Sequence, residues 1–157
     1  MKITKNFSLG ELTKSMTAIR KGIDNLPGTE HLVNLTNVSR MILQPVRDHY
    51  GKIVRVNSGY RSPKLNTAVG GSKTSQHCNG EAVDFEIDGL PNVELATWVR
   101  DHLDFDQLIL EFFNPAEGPN SGWVHCSYRK DGTNRKKTMT ALIKNGKTSY
   151  LNGFVTK

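Results

Sequence analysis

The order in which two periodicities occur along this chain restricts its fold more than any other feature. Apolar residues recur at helical spacing through the first 50 residues, whereas most later apolar segments are short, rich in β-branched residues and bounded by turn formers. Ser8 and Glu11 form a capping box, with Phe7 and Leu12 placed as a hydrophobic staple, which predicts a short helix over 9–20. Gly22 and Pro27-Gly28 interrupt that pattern. Leu32, Leu35, Val38 and Ile42 then mark the main core helix, which runs toward Tyr50. Pro45 lies inside it, removes a backbone donor, and is expected to kink the helix or end its regular part.

Beyond Gly51, strands are predicted over 52–57, 82–87, 107–112 and 123–128, with a helix over 93–103 capped by Asn92. Within 82–87, Val83, Phe85 and Ile87 take one face and Asp84 and Glu86 the other. The two segments flanking the loop 114–122 read as a hairpin. Asn145-Gly146 between 140–144 and 147–151 predicts a further hairpin over about 139–152 with a type I′ turn. Helices first and mostly antiparallel strands later give an α+β class. The expectation is one domain over 1–157, an antiparallel sheet with helices packed on one side; 157 residues suffice for a single core.

No apolar run approaches the roughly 20 residues that cross a bilayer. The polar start over 1–6 argues against a signal peptide, so synthesis in the cytoplasm is expected. Two cysteines, Cys78 and Cys126, are too few for a disulfide framework and read as free thiols. The formal charge of +6 favours anionic partners, nucleic acid or acidic wall polymer among them. The basic residues Arg129-Lys130 and Arg135-Lys136-Lys137 lack an interleaved aromatic platform, zinc-finger spacing or a recognition-helix motif, so no nucleic-acid partner is expected and a solvated loop is the plainer reading.

Chemistry concentrates in the window from Ser75 to Asp84. Imidazole and carboxylate are both good zinc ligands, and Gly80 lets the backbone turn so that His77 and Asp84 can face one ion. His125 could supply a third ligand. Three protein ligands would leave a fourth position for water, the layout of a catalytic rather than a structural site. Cys78 and Cys126 each follow a candidate ligand directly, and strand parity turns Cys126 away from whatever His125 binds. His31, His49 and His102 match no motif and read as helix-face residues.

The window reads Ser-x-His-x-x-Gly-x-Ala-x-Asp. With Ser58-Gly59-Tyr60-Arg61-Ser62 upstream and Trp123-Val124-His125 downstream, it resembles the zinc D-alanyl-D-alanine carboxypeptidases and related murein peptidases of the M15 type, over about 7–128. The resemblance implies His77, Asp84 and His125 as zinc ligands on the exposed sheet face. It also implies hydrolysis of a peptide bond in bacterial peptidoglycan, either as a carboxypeptidase trimming a terminal D-alanine or as an endopeptidase cutting the stem peptide. Many members place an acid three positions before the last histidine; here Gly122 stands there. Glu111 is the alternative base. In a hairpin centred near Gly118 it lies opposite His125 on one face, and the segment from Asp106 to Glu111 resembles the strand of hedgehog signalling domains that carries an acid near their zinc. Asp106 is the second choice. Arg61, in a turn after a strand, is expected to hold a substrate carboxylate or the oxyanion, or else to form a scaffold ion pair. Ser75 is expected to hydrogen-bond substrate or to shape the loop.

The same resemblance leaves a second class open, a zinc-containing wall-binding module without turnover. A small wall hydrolase of this kind is a familiar phage arrangement. It is expected to act on the cell wall as a monomer.

Overall fold

The computed structural model describes residues 1–156, and they form one α+β domain with a six-stranded sheet. Both halves of the Ser8–Glu11 capping box are present, and Phe7 and Leu12 are buried. The helix expected over 9–20 is two helices, α1 (Leu9–Thr13) and α2 (Met16–Lys21). Lys14 and Ser15 are extended between them, and the Ser15 hydroxyl accepts from Ala18 N–H, so a second N-cap competes with continuing the first helix. The break frees the Leu12 carbonyl to accept from Tyr60 N–H. A side chain at Gly59 would collide with that carbonyl, so only glycine lets the two segments meet.

Helix α3 (Thr29–Val38) runs through a π turn, Ser39–Leu43, directly into α4 (Gln44–Tyr50). Pro45 therefore neither ends the helix nor breaks it. It sits in the first turn of α4, where the widened turn before it absorbs the missing donor. Leu35, Val38, Ile42, Leu43 and Val46 are completely buried along this unit.

The sheet order is β1-β2-β4-β3-β5-β6, formed by β1 (Arg55–Ser58), β2 (Ala82–Glu86), β3 (Gln107–Glu111), β4 (Trp123–Ser127), β5 (Lys137–Lys144) and β6 (Lys147–Asn152). The first strand begins later than expected, leaving Ile53 exposed. The sheet is mostly antiparallel, but β3 and β5 pair in parallel, Glu111 opposite Ala141. The β5–β6 hairpin turns on Asn145 and Gly146, both at positive φ as a type I′ turn requires. Helix α5 (Asn92–His102) starts from Pro91 rather than from Asn92. Asn92 is buried inside the first turn and donates to the Ser121 and Gly122 carbonyls, tying α5 to the β3–β4 loop.

One face of the sheet meets the helices. Val83, Phe85, Leu108, Leu110, Val124 and Cys126 project there into one core with Leu35, Ile42, Leu95 and Val99. Burying each large apolar side chain is worth about 1.5–3 kcal/mol, which strongly pins the strand register. That register turns Asp84, Ile109, Glu111, Trp123 and His125 to the opposite face. Among the described residues, no helix is long and apolar enough to cross a membrane.

Candidate metal centre

Two strands and one short turn bring together the three candidate ligands. Asp84 on β2 and His125 on β4 are direct cross-strand partners, so pairing alone sets their side chains together on the face away from the helices. His77 arrives on the 3₁₀ turn Gln76–Asn79, whose cap is Ser75: the Ser75 hydroxyl accepts from His77 N–H. Ser75 thus shapes the loop. Gly80, in the left-handed region, ends the turn and packs against the His31 carbonyl on α3, where a side chain would not fit.

Hydrogen bonds orient the imidazoles. His77 Nδ1–H donates to the Gly59 carbonyl at 2.7 Å, which fixes the ring and makes Nε2 the atom that faces Asp84 and that a metal would take. That Nε2 is buried, has no hydrogen-bond partner, and lies 3.3 Å from Asp84 Oδ2. His125 Nδ1 lies 2.9 Å from Asp84 Oδ1. The three ligand atoms fall within 4.8 Å of one another, on residues 2 %, 6 % and 9 % exposed for His77, Asp84 and His125. A tetrahedral ion with bonds of about 2.0–2.1 Å has ligand edges of roughly 3.3 Å, so the His77–Asp84 spacing already suits one. A buried orphan nitrogen next to a buried carboxylate and a second imidazole is what a divalent cation would satisfy. Burial alone would push the Asp84 carboxyl up, but His77 and His125 hold it far below the usual carboxylate range. It is therefore an anion ready to ligate.

Glu111 shares the face but not the register expected for it. Ile109, not Glu111, lies opposite His125, and Glu111 pairs with Trp123. The hairpin is displaced by two residues, which preserves parity, so Glu111 is the diagonal neighbour of His125 on the same side. Burial pushes the Glu111 carboxyl up to about 7; His125 and Arg61 pull it down and Asp84 pushes it further up. The chain leaves β3 through Phe112 at φ 55 and returns through Gly122 at φ 70. A side chain at Gly122 would collide with the Glu111 carbonyl and the Phe112 backbone. This packing accounts for glycine at position 122, which abuts the backbone that presents Glu111.

Arg61 follows β1. Its Nε donates to Ser58 Oγ at 3.3 Å and its Nη1 to Asn66 Oδ1 at 3.0 Å, while Nη2 stands 3.7 Å from Asp84 Oδ2. The guanidinium borders the centre and also walls a cleft of about 400 Å³ shared with Lys14, Met16, Asn57 and Leu65. Asp106 does not belong to the site. It is fully buried, and Gln76, Arg129 and Arg135 surround its carboxylate. The second choice of base is thereby withdrawn, and two arginines of the segment expected to be solvated have a buried partner.

Cys78 and Cys126 are unpaired; Cys126 lies in the core, its thiol pushed up by burial. His49 and His102 both stack against Trp98, and His31 stacks on Tyr60. The sequence reading missed two contributors to the centre, the Gly59 carbonyl and Gln76. Gly59 lay within a quoted motif, but nothing in the letters announces a carbonyl that fixes an imidazole.

A search of curated proteins finds no match. The family model described as Peptidase M15 matches residues 5–127, a stretch holding His77, Asp84, His125, Arg61 and Glu111. M15 peptidases are metal-dependent, and the cluster here could hold the metal. With most of its length matched and that cluster in place, the chain belongs to the Peptidase M15 family.

Proposed function

We propose that this peptidase uses zinc held by His77, Asp84 and His125 to hydrolyse a peptide bond in bacterial peptidoglycan. The observation that carries the reading is the buried His77–Asp84–His125 cluster with Glu111 on the same sheet face. When bound, zinc lowers the pKa of a coordinated water toward about 7 and polarises the scissile carbonyl. Glu111 accepts the proton of the attacking water and returns it to the departing amine. Its place on the same sheet face, diagonal to His125, suits it to serve in both directions. Arg61, anchored by Ser58 and Asn66, turns its remaining N–H groups toward the centre, where they receive a peptide carboxylate or the developing oxyanion. The cleft walled by Arg61, Lys14 and Met16 has no acidic lining residue, which suits a substrate arm bearing a carboxylate.

Digestion of purified peptidoglycan, followed by mass spectrometry of the products, tests the reading. Release of a terminal D-alanine identifies a carboxypeptidase, and shortened or separated stem peptides identify an endopeptidase. Zinc-loaded protein that releases nothing from any wall type would leave the wall-binding module in its place.

A further inference from the structure

Asp106 lies on the helix side of the sheet, away from Glu111, and its side chain is wholly buried. Its Oδ1 accepts from Arg135 N–H at 3.1 Å and Arg135 Nε at 2.9 Å; its Oδ2 accepts from Arg135 Nη2 at 2.9 Å and Gln76 Nε2 at 3.0 Å. Arg129 Nε stands 3.2 Å from Oδ2. Gln76 is the residue before the ligand His77 in the 3₁₀ turn, and its amide makes no other side-chain hydrogen bond: its Oε1 is buried without a partner. Both arginines lie past residue 127, the last one matched by the family model.

The metal turn is therefore gripped from two sides. Toward β1, His77 Nδ1 donates to the Gly59 carbonyl and the His77 carbonyl accepts from Arg61 N–H. Toward β3, among the described residues, the side-chain tether is Gln76 to Asp106. We infer that Asp106 is a positioning residue for the metal centre: through Gln76 it seats the turn that carries His77, and the C-terminal segment holds Asp106 in place with Arg135 and Arg129. The chain beyond the matched region thus takes part in metal binding without supplying a ligand. This inference rests on the metal-centre reading and not on the substrate assigned to it.

Gln76→Met isolates the tether. It keeps the side-chain length, removes an amide whose oxygen is already unsatisfied, and leaves Asp106 with all its arginine bonds, so metal-free stability should change little. Partners bonded to a ligand itself typically contribute about 10- to 100-fold in metal affinity. One bond further out, the expected loss is about 10-fold. Zinc affinity is read by competition with a chromophoric chelator, and geometry by the visible absorption of the cobalt-substituted full chain. Gln76→Met should bind zinc about 10-fold more weakly and shift the cobalt bands, with thermal unfolding of the metal-free protein nearly unchanged. Arg135→Met should weaken zinc in the same direction, and Arg135→Lys should restore part of the loss. Wild-type affinity together with a wild-type cobalt spectrum in Gln76→Met overturns the inference while leaving the metal centre intact. Wild-type protein that binds neither ion overturns both.

Discussion

Strand β3 is bracketed by two acids that the same fold treats in opposite ways. Burial disfavours the charge of both Asp106 and Glu111. At Asp106 the arginine and glutamine donors outweigh that burial and hold the carboxyl at about 2; at Glu111 no donor is aimed at the side chain and the carboxyl rises to about 7. One end of the strand therefore carries a fixed charge that joins the C-terminal segment to the turn bearing His77. The other carries the proposed base, a carboxyl raised to about 7. The two differ most in donor supply: hydrogen bonds from Arg135 and Gln76 fix the charge of the fully buried Asp106, whereas His125 and Arg61 reach the half-buried Glu111 through charge alone and do not offset its burial.

The sharpest way to break this contrast is at its reactive end. Glu111→Gln should keep the metal and the fold and lower peptide release by about 10² to 10⁴, the usual cost of removing a general base. Metal content, thermal unfolding and turnover are measured together. Near wild-type turnover would show that another group takes the proton.

At the structural end the loss should appear in stability first. Asp106→Ala leaves two arginines without their partner. Removing one member of a buried pair costs about 3–5 kcal/mol, and because Arg129 and Arg135 are 37 % and 48 % exposed they can turn to water, so the lower end applies. A loss of about 3 kcal/mol lowers Tm by roughly 6–12 °C in a chain of this size. The sign of the pH effect follows from a folded value of about 2 against an ordinary 3.8. The contribution is present above pH 4 and fades as pH falls toward 2, so wild type and Asp106→Ala should converge in Tm under acid. A gap that persists unchanged at pH 2 would place the stabilisation elsewhere.

The same strand shows what could be read from the sequence and what could not. The grouping of His77, Asp84 and His125 was legible because His77 and Asp84 share one short window and His125 has its own motif. That Glu111 shares the face of His125 was legible through parity, which survives a displacement of two residues and would have failed for a displacement of one. The displacement itself was hidden. It arises where Phe112 takes a positive φ and the Pro115–Glu117 turn consumes residues that an ideal hairpin would have paired. The partners of Asp106 were equally hidden: Arg135 reaches it because β5 returns parallel to β3, and Arg129 because it follows closely on β4, whose Ser127 carbonyl accepts from Asp106 N–H. The split of the first helix turned on a second serine cap, Ser15, that competes locally with the first.

A smaller effect tests the link between Gly122 and Glu111. Gly122 sits at φ 70 with no room beside the Glu111 carbonyl, so Gly122→Ala is both strained and crowded. The left-handed conformation alone costs about 1–2 kcal/mol for a non-glycine residue. Relief of the collision should move the Glu111 backbone and lower turnover while zinc content stays at the wild-type level. Gly122→Asp should behave likewise and should not rescue Glu111→Gln. If the double variant recovers activity, the two positions are interchangeable as bases and the packing argument fails.

The smallest predicted effect concerns the cost of keeping Glu111 poised. A carboxyl whose folded pKa is about 7 against an ordinary 4.5 holds its proton more tightly in the folded state. The folded state is therefore favoured most below pH 4.5 and loses that advantage as pH rises through 7. Glu111→Gln cannot ionise and escapes the loss. In protein freed of metal by a chelator, the variant's Tm should gain on wild type between pH 5 and pH 8. The gain should be about 1–2 kcal/mol after allowance for water near the side chain, or a few degrees. His125, Asp84 and Arg61 all act on the same carboxyl, so the slope should lie at the pH where Glu111 titrates within that set. A Tm difference that stays flat from pH 5 to pH 8 would mean that Glu111 ionises at its ordinary value, and the two ends of β3 would then differ in position alone.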